Sequence, residues 1–369
     1  MSSVRYDQLI VGKHKHEIET PALLLYADRL ERNIDKMAAF FSQVECNLRP
    51  HFKTHRLPVI AHKQIKAGAR GITCAKISEA KVLAESGVRD VLIANQIVGE
   101  RKLEQLAGLA HHSDIIVAVD NVENASQMSA IAVKRGVKVN VLVEIDVGMN
   151  RCGVGTEEEA LALAKTILDL KGVRLRGLMG YEGHTVLIPD YERRKSECRK
   201  ALVRLVRVRD FLEKNGVPIE IVSAGGTGTY TIAGRYPGIT EVQAGSYATM
   251  DTQYRKIGID FEIALSLMTT IISHPTEEKY ILDTGLKSLT NDMGMPELIE
   301  APGAVIDAMH EEHVRILWKN PTKNLKIGDK LEFYPSHGCT TINLHDLCYV
   351  IRNDVVEAIW HMEARGASQ

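Results

Sequence analysis

The strongest constraint on the fold is a strand-and-helix alternation that repeats eight times. Apolar runs that end in small or polar residues recur at 48–55, 71–76, 90–96, 114–121, 139–148, 173–184, 219–229 and 240–247. Charged stretches rich in Ala and Leu, which are typical of helices, lie between these runs. Strands that alternate with helices form parallel βαβ units, and eight such units match the strand count of a closed (β/α)8 barrel. An open doubly wound sheet is the alternative, but it normally carries a Gly-rich phosphate loop at its first turn, and none is found here.

The sequence changes character after Asp251. β-rich runs broken by turns follow, with little helical periodicity, which indicates a second domain. We therefore predict an α/β chain with a (β/α)8 barrel at residues 21–258. A mainly-β domain would contain residues 259–369 together with residues 1–20.

Composition limits the classes of partner. The 369 residues include 46 Lys and Arg against 47 Asp and Glu, a formal net charge of −1. This balance offers no electrostatic basis for binding nucleic acid or an anionic membrane. No apolar run is long enough for a membrane span, the first twenty residues lack the apolar centre of a signal peptide, and the six cysteines lack a disulfide-scaffold spacing. We expect a cytoplasmic protein with a small-molecule substrate, and neither nucleic acid nor membrane as partner.

Lys53 is the first candidate for a catalytic residue. It lies in LRPHFKTH, where Arg49, His51, Lys53 and His55 alternate with other residues and would share one face of a strand. An ordinary surface strand explains that pattern as well. In a parallel barrel, however, the carboxyl ends of the strands carry the active site. A lysine crowded by other cations there shifts toward its neutral, nucleophilic form.

Glycine-rich segments follow the seventh and eighth predicted strands, as SAGGTGTY (223–230) and AGSY (244–247). These two loops are the usual phosphate site of a barrel, where backbone N–H groups form an anion-binding nest. A phosphate site beside the strand that carries Lys53 predicts pyridoxal 5′-phosphate (PLP), because PLP enzymes use a lysine and an electron-sink ring.

Two more strand ends carry candidate side chains. Arg151 follows the fifth predicted strand, where it could hold a phenolate or carboxylate oxygen or could be a solvated loop residue. Tyr181 and His184 follow the sixth strand in YEGHT. His184 is a candidate acid or base, although a lone histidine is more often structural.

Five motifs, PHFKTH, DVGMNRCGVGT, GGTGT, QAGSYATMD and SHGCTTINLHD, resemble the D-threonine aldolase and D-serine dehydratase family across nearly the whole chain. That family consists of fold-type III PLP enzymes with an alanine-racemase-like barrel followed by a β-domain. The resemblance implies that Lys53 bonds the cofactor, that Arg151 lies by its phenolic oxygen, and that the protein is a homodimer. The cofactor-binding residues that it implies are Lys53, Arg151, Tyr181, Gly225, Gly226, Thr227, Gly228, Gln243, Gly245, Ser246 and Tyr247.

The SHGC segment contains a candidate metal pair. His337 and Cys339 are two residues apart and would share one face of a strand. Two ligands do not make a metal site, and a buried His near a Cys is common in protein cores. The resemblance implies a divalent metal, because the family's metal pair is a histidine with a cysteine or aspartate two residues later. A thiolate favours zinc, whereas a carboxylate suits manganese or magnesium. We interpret the nearby His345 and Asp346 as second-shell or structural.

The motifs divide between two activities. QAGSYATMD and TTINLHD resemble the aldolase branch, whereas His337-x-Cys339 and the GH of YEGHT resemble the dehydratase branch. We predict an aldolase that cleaves D-3-hydroxyamino acids to glycine and an aldehyde, with His184 as base. Leu187 stands where the aldolase branch carries its base histidine.

Three other activities stay open. The alternative to the aldolase is a D-serine or D-3-hydroxyaspartate type dehydratase, which gives a 2-oxo acid and ammonia. A racemase would need a second catalytic tyrosine, which cannot be placed in the β-domain. A non-catalytic PLP carrier would lack that domain.

Overall fold

The computed structural model describes residues 9–369, which form two compact units. The barrel unit contains Asp35–Lys53, Pro58–Gly245 and Ala367–Gln369. The β unit contains the described residues up to Ile34 together with Thr54–Leu57 and Ser246–Gly366. Residues 1–8, which we assigned to the β-rich domain, lie outside the described range.

The first regular elements are a strand and a helix. β1 (Ala22–Tyr26) is an apolar run with its three leucines buried, and α1 (Ala27–Phe41) follows it directly. Leu30, Ile34 and Met37, spaced three or four residues apart, are buried along one side of α1. This is the side that the helical period of the sequence predicts.

Eight parallel strands form the sheet of the barrel unit. They are β2 (Asn47–Leu48), β3 (Ile72–Cys74), β4 (Asp90–Ile93), β5 (Asp114–Val119), β6 (Val139–Glu144), β7 (Val173–Met179), β8 (Ile221–Ala224) and β9 (Glu241–Val242). Their order is β2-β9-β8-β7-β6-β5-β4-β3. A parallel bridge between His51 and Thr73 joins the extension of β2 to β3, and the Thr73 N–H donates to the Pro50 carbonyl at 2.9 Å. The two ends of the sheet therefore meet, and the predicted (β/α)8 barrel is confirmed.

Helices alternate with these strands. They are α2 (Pro58–Lys66), α3 (Ile77–Glu85), α4 (Glu100–Leu109), α5 (Val122–Lys134), α6 (Glu157–Asp169), α7 (Tyr191–Lys214) and the short α8 (Tyr230–Ala233). Polar side chains mark several helix starts, as predicted by capping chemistry: Asn121 caps α5, Thr156 caps α6 and Asp190 caps α7. No helix within residues 9–369 is both long and apolar enough to cross a membrane.

The β unit is built on a nine-stranded sheet. Besides β1 it contains β10 (Leu265–Thr276), β11 (Lys279–Leu282), β12 (Glu297–Leu298), β13 (Val305–Met309), β14 (Val314–Leu317), β15 (Lys330–Tyr334), β16 (Leu347–Arg352) and β17 (Val355–His361). β1 pairs antiparallel with β10 and parallel with β16. The short helices α9 (Thr252–Lys256) and α10 (Gly338–Ile342) belong to the same unit. A mainly-β second region is confirmed.

The position of β1 bears on the domain boundaries. This strand falls inside the range expected for the barrel, residues 21–258, yet it pairs in the nine-stranded sheet. Both of its neighbours, β10 and β16, lie after residue 258, so β1 belongs by pairing to the sheet of the β unit. We keep the boundaries near residues 21 and 258 as a proposal about independently folding domains.

Candidate active site

Lys53 lies beyond the carboxyl end of β2, and the strand does not extend to it. Residues Phe52–Thr54 form one turn of 3-10 helix, and the Lys53 N–H donates to Nδ1 of His51 at 3.4 Å. A local side-chain acceptor of this kind competes with strand pairing. The expectation that Arg49, His51, Lys53 and His55 share one strand face is therefore wrong. Lys53 is exposed, whereas Phe52 and Thr54 are buried.

Arg49 has a structural environment. Its side chain is fully buried, and its Nε donates to Oε2 of Glu241 at 3.0 Å. Its Nη1 pairs with the carboxylate of Asp90. Both carboxylates belong to barrel strands, β9 and β4, so Arg49 joins three strands and does not contribute to the candidate site.

The GGTGT loop begins directly after β8 and needs glycine at two positions. Gly225 has φ +76°, a left-handed conformation that glycine adopts without strain. A Cβ on Gly228 would overlap the carbonyl oxygen of Val186. The Gly226 N–H donates to Oγ1 of Thr229 at 3.1 Å, and the Thr229 N–H donates back to the Gly226 carbonyl at 3.1 Å. The loop is therefore a compact, buried turn of consecutive backbone amides, a type of structure that suits an anion.

One predicted side chain, Tyr181, packs against this turn, and two others, Arg151 and His184, lie in the loops after β6 and β7. The Tyr181 ring is 3.2 Å from where a Cβ on Gly226 would lie. The guanidinium carbon of Arg151 lies 5.9 Å from the centre of the same ring. His184 is exposed, and its imidazole is 3.4 Å from where a Cβ on Gly148 would lie. The structure thus brings the loops after β6, β7 and β8 together, as the barrel prediction requires.

The residues after β9 divide between the two units. Gln243 is buried, and its Nε2 donates to Oγ of Ser223 at 2.8 Å, which ties the ends of β8 and β9 together. Gly245 is the last residue of the long barrel-unit segment that begins at Pro58. Ser246 and Tyr247 belong to the β unit, so their grouping with the glycine loop stays a prediction.

An acidic network that the sequence motifs did not indicate lies next to the Arg151 loop. Nε2 of Gln96 donates to Oε2 of Glu144 at 2.6 Å and to Oδ2 of Asp120 at 3.2 Å. Burial raises the pKa of the Glu144 carboxyl, although the Gln96 hydrogen bond and the positive charge of Arg151 oppose the shift. Asp120 also accepts the Gly153 N–H at 3.2 Å. The sequence signal for this network was Glu144, a charged residue at the end of the apolar run VNVLVE.

His337 and Cys339 lie at the start of α10. The expectation that they share a strand face is wrong, because His337 is the N-cap residue of a short helix whose first turn contains Cys339. Nδ1 of His337 lies 2.7 Å from Oδ2 of Asp292, and the Thr340 hydroxyl donates to Oδ1 of Asp292 at 2.9 Å. Although burial lowers it, Cys339 and Asp292 raise the pKa of His337 to about 9.

These residues form an incomplete metal-binding set. No group of three or more His, Cys, Asp or Glu side chains within residues 9–369 is arranged to hold a metal ion. A histidine with a nearby thiol is a suitable partial donor set for a soft divalent metal. Nε2 of His345 contacts the Ser288 carbonyl at 2.7 Å, and Asp346 pairs with Arg365, so both have structural partners.

The comparisons with known proteins cover almost the whole chain. The family "Alanine racemase, N-terminal domain" matches residues 25–253, and "Putative serine dehydratase domain" matches residues 264–351. A D-threonine aldolase of Arthrobacter sp is 39% identical over 95% of this chain and 94% of that protein. A 3-hydroxy-D-aspartate aldolase of Paracoccus denitrificans is 34% identical over 98% of this chain and 96% of that protein.

Solved structures agree in fold. The D-threonine aldolase from Filomicrobium marinum superposes with a TM-score of 0.95 at 34% identity, covering 97% of this chain and 99% of that chain. The D-threo-3-hydroxyaspartate dehydratase from Delftia sp. HT23 has a TM-score of 0.87 at 28% identity, covering 95% and 98%. A cysteine-to-alanine variant of an enzyme with that name was solved in a metal-free form. The resemblance and the alanine-racemase-like fold are therefore confirmed, and the chain belongs to the family that joins an alanine racemase N-terminal domain to a serine dehydratase domain, the family of the D-threonine aldolases.

Proposed function

We propose that this chain is a PLP- and divalent-metal-dependent lyase. Its reaction would cleave D-3-hydroxyamino acids of the D-threonine type to glycine and an aldehyde. The observation that carries the proposal is full-length similarity to two aldolases that act on hydroxylated D-amino acids. The proposal includes a homodimer, as the family resemblance implies.

The residues at the barrel strand ends fit PLP. Lys53 is an exposed amine beyond the end of β2, where it can bond the cofactor's aldehyde carbon. The Gly225–Gly228 turn at the end of β8 offers consecutive backbone amides, which suits the phosphate. Arg151 provides a cation for the phenolic oxygen, and Tyr181 lies between that cation and the glycine turn. When bound, PLP supplies an electron sink for the bond that breaks at the substrate Cα.

His337 and Cys339 fit a divalent metal as a partial ligand set, with water and substrate oxygens completing it. A Cys ligand favours zinc over manganese or magnesium. Asp292 at Nδ1 of His337 supports this role, because metal-binding histidines usually bond a carboxylate through their second nitrogen. Bound there, the metal supplies a Lewis acid for the substrate's β-hydroxyl.

His184 is the proposed base. It would take the proton from the β-hydroxyl while the Cα–Cβ bond breaks. Its exposure next to Gly148, at the carboxyl end of the barrel strands, supports this role. Leu187 cannot carry a proton, so it cannot replace the base histidine of the aldolase branch.

A dehydratase is the second candidate. Lys53 would take the Cα proton, and hydroxide would leave from the β-carbon, giving a 2-oxo acid and ammonia. The His337-x-Cys339 pair favours this candidate, because that pattern resembles the dehydratase branch, in which a cysteine-to-alanine variant was solved in a metal-free form.

The decisive experiment incubates the protein, loaded with PLP and zinc, with D-threonine. Glycine and acetaldehyde would support the aldolase, whereas 2-oxobutanoate and ammonia would show the dehydratase. L-Threonine is the control substrate, and comparable turnover of it would contradict the D-specific proposal. Borohydride reduction followed by peptide mapping should place the cofactor on Lys53. Labelling at Lys63 or Lys76 instead would refute that assignment.

A further inference from the structure

Glu182 is a fully buried carboxylate that the proposed mechanism does not use. It lies in YEGHT between Tyr181 and His184. Within residues 9–369 no Lys, Arg or His side chain forms an ion pair with it. A carboxylate removed from water must be stabilised by hydrogen bonds, since its desolvation is costly. The donors to Glu182 therefore show what this buried charge is used for.

Its donors come mainly from the glycine loop. The Gly225 N–H donates to Oε2 of Glu182 at 3.0 Å, and the Thr229 hydroxyl donates to Oε1 at 2.6 Å. The same Thr229 oxygen accepts the Gly226 N–H at 3.1 Å. The carboxylate thus holds the first two amides of the loop, one directly and one through Thr229.

A third donor comes from α7. Sγ of Cys198 lies 3.8 Å from Oε1 of Glu182. Burial, together with the charge of Glu182, raises the pKa of the Cys198 thiol, so the sulfur stays protonated and can donate. This contact does not involve the loop, which makes Cys198 a matched control position.

The loop that carries Glu182 also packs on the glycine loop at two other points. A Cβ on Gly226 would lie 3.2 Å from the Tyr181 ring, and a Cβ on Gly228 would overlap the Val186 carbonyl. Glu182 lies between these two contact residues in sequence. Its hydrogen bonds therefore set the conformation of a turn that is packed from both sides.

We propose that Glu182 is a positioning residue for the cofactor phosphate: it fixes the Gly225–Thr229 turn in its anion-binding conformation before the ligand arrives. This inference rests on the proposed PLP function. Preorganisation lowers the conformational cost of binding, and it acts only on ligands that contact the turn. The benefit should therefore be specific to the phosphate.

The test compares two ligands that differ only in the phosphate. The apoprotein is titrated with PLP and with pyridoxal, both of which react with Lys53, so the ratio of their Kd values isolates the phosphate contribution. Glu182→Gln keeps the shape but places an amide NH2 opposite a donor. We expect the Kd for PLP to rise about tenfold or more, with the Kd for pyridoxal changing less than about twofold.

Two further variants make the result specific. Thr229→Val removes the hydroxyl bridge from the loop side, and its effect on the PLP-to-pyridoxal ratio should not add to that of Glu182→Gln, because both break one network. Cys198→Ala removes the third contact and should leave the ratio within about twofold of wild type. Circular dichroism confirms that each variant is folded.

Equal weakening of PLP and pyridoxal in Glu182→Gln would overturn the inference and make Glu182 an ordinary structural carboxylate. An unchanged ratio would overturn it as well. A wild-type protein that does not prefer PLP over pyridoxal would instead refute the proposed cofactor site, so the two failures are distinguishable.

Discussion

At the scale of single residues, Asp292 is the carboxylate that would orient His337, the proposed metal ligand. It contacts Nδ1 of His337 at 2.7 Å and accepts the Thr340 hydroxyl at 2.9 Å. We predict that Asp292→Ala weakens zinc binding by about 10- to 100-fold, because His337 loses the partner that orients its ring. Isothermal titration with zinc measures this. Asp346→Ala, in an exposed acidic residue of the same segment, should bind zinc like wild type. Equal zinc affinity in Asp292→Ala would refute the role.

Glu144 gives a pH-dependent prediction. Burial raises its pKa, so the folded state favours the protonated acid and loses stability as the pH rises through that pKa. Glu144→Gln stays neutral, so its Tm relative to wild type should increase from about pH 4 to about pH 8.

Glu220 provides the opposite case. The Arg176 hydrogen bond lowers the pKa of Glu220, so its stabilisation is present above the ordinary Glu pKa and is lost as the pH falls. The Tm of Glu220→Gln relative to wild type should therefore decrease over the same pH rise. Parallel pH trends in Glu144→Gln and Glu220→Gln would contradict the burial argument.

At the scale of elements, the turn after β8 depends on the absence of one side chain. Gly228→Ala places a Cβ against the Val186 carbonyl. Because both the new Cβ and the carbonyl are fixed to backbone, the clash can be relieved only if the turn moves. We predict a loss of about 1–3 kcal/mol in the free energy of unfolding, together with weaker PLP binding. Urea unfolding and cofactor titration measure the two effects.

Gly108 in α4 is the matched control. A Cβ there would meet nothing within 4 Å, and alanine favours the helix. Gly108→Ala should therefore stabilise the protein by about 0.5–1 kcal/mol. A Gly228→Ala variant as stable as Gly108→Ala would show that the loop can adjust.

At the scale of the whole molecule, the barrel contains a buried ionic group that links three strands. Arg49 pairs with Glu241, which is 1% exposed, and with Asp90. Arg49→Met leaves the buried Glu241 without its cation. We predict a loss of about 3–5 kcal/mol in the free energy of unfolding, measured in urea. Adding Glu241→Gln should recover part of the loss, whereas a neutral effect of Arg49→Met would refute the linking role.

Much of the architecture could be predicted from short-range pattern. A strand or helix is encoded by residues a few positions apart, so the eight barrel repeats, the periodic face of α1 and the mainly-β region are visible without coordinates. The positions of Arg151, Tyr181 and the glycine turn followed from the same pattern, because parallel strands bring their carboxyl ends to one edge.

Two local predictions were wrong because the chain forms a short helical turn where the strand period was expected to continue. Phe52–Thr54 form a 3-10 turn in which His51 accepts the Lys53 N–H, and His337 is the N-cap residue of a short helix where a strand was expected. Both errors lie at the ends of elements, where short-range periodicity is least reliable.

The sequence by itself determined the eight barrel repeats, the mainly-β region and which strand ends carry the candidate site residues. Only the tertiary structure revealed the partners that control those groups: Glu182 with Gly225, Asp292 with His337, and Glu144 with Gln96. Each pair is separated by more than forty residues. Sequence periodicity cannot predict these contacts, because they join residues that are brought together only by the tertiary fold. The same holds for β1, whose apolar residues suit either sheet and whose pairing depends on strands from the other end of the chain.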